Sequence, residues 1–165
     1  MVRGGKKTMV DVHFSSESNE WETPQDLYDE LDKEFGFTLD PCASPSNAKH
    51  DNFYTKSDDG LAKDWRDQVV FMNPPYGREI SKWIEKAYTE SLHQDCVIVC
   101  LIPARTDTKY WHDFIFPYAS DIRFIKGRLK FGGHKNSAPF PSAIVIFRDS
   151  PVFDMQTIGV YERKM

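Results

Sequence analysis

Little in this sequence would support a secreted, membrane-bound or fibrous protein. Cysteine is scarce: Cys42, Cys96 and Cys100 are an odd set without the spacing of a disulfide framework, and they suit a reducing interior. No apolar run approaches the ~18 residues of a membrane span. The start, Met1-Val2-Arg3-Gly4-Gly5-Lys6-Lys7, leads into no hydrophobic segment of the kind a secretory signal carries. An excess of positive charge is also missing. The formal net charge is −4, which does not describe a polybasic membrane protein or a non-specific nucleic-acid coat. There is no internal repeat and no low-complexity segment. These absences predict a soluble, cytoplasmic protein with no membrane partner.

What is present is an ordinary domain's worth of material. The chain has 165 residues, 40% of them hydrophobic and 14% aromatic. A chain of that length buries about 70% of its extended surface on folding, so a core needs neither disulfides nor metal. Residues 1–20 are polar and aperiodic and read as a flexible N-terminal arm; residues 21–165 read as a single domain.

Along the domain, Thr23 can cap a helix, Pro24 suits its first position, and Leu27, Leu31 and Phe35 recur every four residues until Gly36. Phe37-Thr38-Leu39 reads as a short strand closed by Asp40-Pro41. Val69–Met72 is a continuous apolar run, as in a strand covered on both faces. A helix follows over 79–92, then a buried strand from Cys96 to Ile102 closed by Pro103, and a short helix over 107–116. Asp121–Ile125, Leu129–Phe131 and Ala143–Phe147 read as terminal strands. The alternation predicts an α/β fold: a three-layer, Rossmann-like sheet, mostly parallel with an antiparallel edge hairpin. Ligands of such sheets gather at the carboxyl ends of strands, where Asp40, Asn73 and Pro103 fall.

Asn73-Pro74-Pro75-Tyr76 is the strongest local signal. Two prolines stiffen the backbone directly after a buried strand, so it can continue neither as ladder nor as helix. The Asn73 side-chain carbonyl and the Pro74 main-chain carbonyl are then two fixed acceptors beside an aromatic ring. That set suits a planar NH2 group, with Tyr76 stacked on the ring that bears it. The plainer alternative is a proline-rich turn with an aromatic packed over it.

With these residues the chain resembles the Dam-type DNA N6-adenine methyltransferases of phages and prophages. The resemblance runs from about residue 19 to residue 148. It comprises Trp21-Glu22-Thr23-Pro24, Leu39-Asp40-Pro41-Cys42-Ala43, Asp59-Gly60-Leu61 with Trp65, and Asn73-Pro74-Pro75-Tyr76-Gly77. It continues through Ile102-Pro103-Ala104-Arg105-Thr106, Gly127-Arg128-Leu129 and Ala138-Pro139-Phe140-Pro141-Ser142-Ala143. The resemblance implies S-adenosylmethionine as methyl donor, double-stranded DNA as substrate, and catalytic roles for Asn73, Pro74, Pro75 and Tyr76 around a flipped adenine. It implies that Asp40, Pro41 and Ala43 form the donor loop at the methionine end, and that Trp21, Thr23 and Pro24 close over the donor. Asp58 or Asp59 takes the acidic position near the adenosine. Transfer would be a direct in-line displacement, without metal or covalent intermediate, on a base extruded from the duplex.

The sequence departs from the wider methyltransferase pattern in two ways. The donor loop, Asp40-Pro41-Cys42-Ala43-Ser44-Pro45, has no glycine, and there is no room for a large target-recognition domain, so selectivity falls to loops or to a second subunit in a homodimer. A phosphate-binding strip lies between Asp121 and Asp149, where there are no acids but there are Arg123, Lys126, Arg128, Lys130, Lys135 and Arg148, with Phe131 and His134 among them. Its alternative is an outward-facing, edge-protecting strand pair. Arg105, just past a strand end, is a second phosphate partner. The cysteines and the remaining histidines have no metal-binding arrangement, and Trp83 and Trp111 read as packing residues. Two rival functions remain open on sequence: an NPPY enzyme acting on RNA adenine or a protein side-chain amide, and a non-catalytic homologue that binds DNA or donor without turnover.

Overall fold

In the computed structural model, which describes residues 20–149 and the backbone of 154–158, the first helix is α1 (Gln25–Phe35). Leu27, Tyr28 and Leu31 form its buried stripe. Gly36 ends it in the left-handed region at φ 67°, with its N–H donating to the Asp32 carbonyl oxygen at 2.8 Å. The helix start differs from expectation: Pro24, in extended conformation, is the cap residue, and no side chain caps the helix. Thr23 is buried and its hydroxyl serves Asn73 instead. The expected flexible arm falls, but for Glu20, outside the described residues.

Five strands follow: β1 (Val69–Met72), β2 (Val97–Pro103), β3 (Asp121–Ile125), β4 (Ser142–Phe147) and β5 (Asp154–Ile158). Helix α2 (Ile80–Ser91) connects the first two. The sheet order is β1-β2-β4-β3-β5. β1 runs parallel to β2 and β3 parallel to β5, but β4 is antiparallel to both β2 and β3. The sheet is therefore mixed, not mostly parallel, and its antiparallel pairings are interior rather than at an edge. The physical reason lies in the connection. Residues 126–141 contain no helix to carry the chain back over the sheet, so β4 returns beside β3 in the opposite sense.

Side-chain alternation assigns the helices to faces. Phe71, Val99 and Ile146 lie in one register row, and Phe71 meets Tyr28 of α1 edge-on at 5.2 Å. Val70, Ile98 and Phe147 form the adjacent row, which points to the other face, where Phe147 meets Tyr88 of α2 at 6.4 Å. Helices thus cover both faces, and the interior of the sheet is apolar on each. The helix expected over 107–116 is shifted: a widened turn, Trp111–Ile115, runs into Phe116–Tyr118, with Trp111 fully buried.

Two expected strands are not strands. Of Phe37–Leu39 only Leu39 bridges, to Val70 on the outer edge of β1. Leu129 and Phe131 are buried, but by a loop that folds back on itself, with the Ala138 N–H donating to the Leu129 carbonyl at 2.7 Å. Gly127 and Gly133, both at φ 77°, turn that loop. Strand β5 has no clear sequence signature, because Asp-Met-Gln-Thr-Ile offers little apolar alternation.

Candidate active site

A cleft of about 570 Å³ opens at the carboxyl end of β1. Four stretches wall it: Glu20–Thr23, the loop from Asp40 to Pro45, the turn around Asp59 and Leu61, and Asn73–Pro75. Glu79 and Trp83, at and just inside the start of α2, close the far side.

Asp40 is held at the sheet margin by its own backbone. Its N–H donates to the Asn52 carbonyl at 3.0 Å, and its carbonyl accepts from the Tyr54 N–H at 2.9 Å. The buried carboxylate accepts from the Lys49 main-chain N–H at 3.2 Å. Burial raises the Asp40 pKa, although the Lys49 and Cys42 N–H groups and the nearby Lys49 and His50 charges pull against it. Burial likewise pushes the Cys42 thiol well up, so it stays protonated beside Asp40.

Asp58 and Asp59 are separated by the geometry. Asp58 points back into its own turn, accepting from the Thr55 N–H and hydroxyl at 2.8 Å each. Asp59, at φ 56°, lines the cleft. The loop from Asp40 to Pro45 has no glycine of its own, but it packs directly against one. A Cβ on Gly60 would lie 2.1 Å from the Pro41 carbonyl oxygen and 3.1 Å from the Trp83 ring. The Trp65 indole N–H fixes the same turn by donating to the Gly60 carbonyl at 3.0 Å.

Asn73 follows β1 directly. Its side-chain Nδ2 donates to the Trp21 carbonyl and, at 2.9 Å, to the Thr23 hydroxyl oxygen. Its Oδ1 is buried and has no hydrogen-bond partner. A buried acceptor without a donor costs roughly 1–3 kcal/mol, so this atom calls for a partner that the protein's own side chains do not supply. Pro74 and Pro75 line the cleft beside it.

Tyr76 is placed differently from expectation. It is only 5% exposed, its hydroxyl donates to the Leu101 carbonyl at 3.0 Å, and its ring meets the rings of Phe131 and Phe140 edge-on. Trp21 joins this group against Phe131 and Phe140 and stacks on His134 at 4.2 Å. Burial raises the Tyr76 pKa well above its ordinary value. In this conformation the aromatic cluster occupies the space beside Tyr76, so a base can stack there only if a ring moves.

The basic candidates divide. Arg128, Lys130 and Lys135 are exposed on the 126–141 loop, and Arg105 is exposed with its guanidinium 5.4 Å above the Phe140 ring. His134 is half-buried on Trp21, and Phe131, at 1% exposure, is core rather than a free aromatic. Arg123 is also not free: it pairs with Glu34 and with buried Asp121.

Several contributors were not singled out as site residues in the sequence. Glu22 joins the cleft to the basic loop, because its carbonyl accepts from the Gly132 N–H at 2.9 Å while its carboxylate lies 3.6 Å from Lys49. Trp83 and Leu61 line the cleft at the Asp59 end. Trp83 sits one position before Ile84 on an apolar helix face, a pattern that suggests packing. Among the described residues, no helix is long and apolar enough to cross a membrane, and no group of His, Cys, Asp and Glu is arranged to hold a metal.

Comparison with known proteins matches residues 12–160 to the family described as DNA N-6-adenine-methyltransferase (Dam). The chain is 29% identical over 140 residues to the DNA N-6-adenine-methyltransferase of Haemophilus phage HP1 (strain HP1c1), covering 80% of each protein. It is 35% identical over 65 residues to YfdM of Escherichia coli (strain K12), a methyltransferase by name, covering 35% of this chain and 71% of that one.

Proposed function

The chain belongs to the DNA N-6-adenine-methyltransferase (Dam) family, and on that premise we propose that it transfers a methyl group from S-adenosylmethionine to the N6 amino group of adenine in DNA. The observation that carries this reading is the Asn73 amide. Both Nδ2 hydrogens are taken up by Trp21 and Thr23, and Oδ1 is left as a buried acceptor with no donor. A substrate NH2 is the complement of that atom.

The cleft fits the donor in chemistry and size. About 570 Å³ lies within the range of pockets that enclose a nucleoside-sized ligand. Asp40 suits the ammonium of the methionine end, Asp59 the ribose hydroxyls, and Trp83 with Leu61 the adenine ring. Pro41 and Ala43 line the loop between them, and Trp21 and Thr23 form the strap along one side. Pro24 lies at the strap's end, where it sets the start of α1.

S-adenosylmethionine, when bound, supplies an activated sulfonium methyl open to direct in-line displacement by an amine nitrogen. The protein's task is to make the amine a nucleophile, because its lone pair is delocalised into the adenine ring. Asn73 Oδ1 and the Pro74 carbonyl accept the two N–H bonds, which favours a pyramidal nitrogen with its lone pair exposed. Pro75 holds that turn rigid, and Tyr76 faces the base once the aromatic cluster yields. The contribution is positioning and preorganised polarity. Duplex DNA is held through Arg105, Arg128, Lys130 and Lys135, with His134 on the same loop, stacked on Trp21.

The test is direct. Purified protein is incubated with S-adenosylmethionine and unmethylated duplex DNA, and N6-methyladenine is quantified by nucleoside mass spectrometry, with Asn73→Ala alongside. Product from the wild type alone is the expected result. Its absence despite confirmed donor binding would overturn the reading.

A further inference from the structure

We infer that Thr23 is a positioning residue for this reaction: with the Trp21 carbonyl it locks the Asn73 amide so that only an acceptor is presented to the target base. The inference rests on the function proposed above. An asparagine amide is nearly symmetric in shape, and its hydrogen-bond partners alone decide which way it faces. The Trp21 carbonyl can only accept, so the atom facing it must be Nδ2. Thr23 Oγ1, 2.9 Å away, takes the second Nδ2 hydrogen. Oδ1 is thereby turned to the opposite side, where it is buried and no protein donor meets it.

The strap is shaped for this task. Successive carbonyls of an extended segment point to opposite sides. The Trp21 carbonyl therefore reaches Asn73, while the Glu22 carbonyl accepts from Gly132 on the basic loop. Thr23 is not occupied as a helix cap, and it is buried with its hydroxyl turned to Asn73. The resulting site has one sign. It accepts an N–H from an amino base and has no hydrogen left to offer a keto group, so a keto base would leave two acceptors facing each other.

Thr23→Val keeps the shape and removes the hydroxyl; Thr23→Ser keeps the hydroxyl and removes a methyl. On unmethylated duplex DNA, Thr23→Val is expected to lower kcat by roughly three- to tenfold, the worth of one hydrogen bond. Thr23→Ser should restore the rate. The Asn73 side-chain NH2 protons, followed by NMR with Asn73→Ala for assignment, should exchange slowly in the wild type and in Thr23→Ser and rapidly in Thr23→Val. If wild type and Thr23→Val turn over equally, or the NH2 protons are unchanged, the inference is overturned and the proposed function stands. If the wild type makes no N6-methyladenine, the function falls and the inference with it.

Discussion

Gly60 and Pro41 touch backbone to backbone: a side chain on Gly60 would begin 2.1 Å from the Pro41 carbonyl oxygen. The close backbone approach at the loop from Asp40 to Pro45 is thus made possible by a glycine on the opposing turn. The obstructing atom is main chain and cannot swing aside. Gly60→Ala must therefore push the loop from Asp40 to Pro45 outward, at a cost of about 1–3 kcal/mol. Calorimetric titration with S-adenosylmethionine should show affinity at least tenfold weaker. Unchanged binding would mean that this wall does not touch the donor.

The proposed role of Asp40 predicts that donor binding depends on pH. Burial raises its pKa above the ordinary aspartate value of about 3.9, so it protonates earlier than an exposed carboxylate as pH falls. In the proposed site the donor's ammonium group pairs with the ionised form. Affinity should decline as pH drops through that raised pKa, and Asp40→Asn should be weak and flat across the same range. The stability linkage has the opposite sign: the folded state holds this proton more tightly than the unfolded chain, so the residue's contribution to stability is greatest at low pH and is lost as pH rises through the raised pKa. Parallel pH profiles for wild type and Asp40→Asn would remove Asp40 from the donor site.

Arg123 clamps α1 to the sheet, lying between half-exposed Glu34 and fully buried Asp121. Arg123→Met leaves Asp121 buried without its partner and should cost about 3 kcal/mol in denaturant unfolding. Glu34→Gln should cost much less, since that carboxylate is half in water. Glu34, whose pKa is lowered chiefly by its hydrogen bond to Arg123, contributes stability above its unfolded pKa and loses it as pH falls through the depressed one. A comparable loss for both variants would contradict this division.

The basic loop can be tested by charge reversal. Arg128→Glu with Lys130→Glu should weaken DNA binding and flatten the dependence of log K on log salt by about 0.9 for each phosphate no longer neutralised. Equal slopes for variant and wild type would reduce these residues to a solvated edge.

Phe131 is buried in the core at 1% exposure. Phe131→Ala should cost about 3 kcal/mol of stability, whereas Phe131→Leu, which keeps most of the buried volume, should leave DNA affinity near that of the wild type. A loss of DNA affinity in a well-folded Phe131→Leu variant would restore the aromatic to the interface.

The sequence alone was enough to specify the elements that depend on local pattern. Apolar runs mark β1 and β2 because strands covered on both faces must be apolar throughout, and Gly36 marks the end of α1 because few residues tolerate its left-handed backbone. Asn73-Pro74-Pro75-Tyr76 is legible for the same reason, since two prolines after a strand admit few conformations. Only the tertiary structure decided the rest. The interior antiparallel position of β4 depends on which strands meet, and no local period encodes that. Asp59 was separated from Asp58 by a single turn in which Asp58 satisfies Thr55. Phe131 and Thr23 look like a surface aromatic and a helix cap in sequence. They became a core ring and a partner of Asn73 because burial and hydrogen-bond satisfaction are settled between segments distant in the chain.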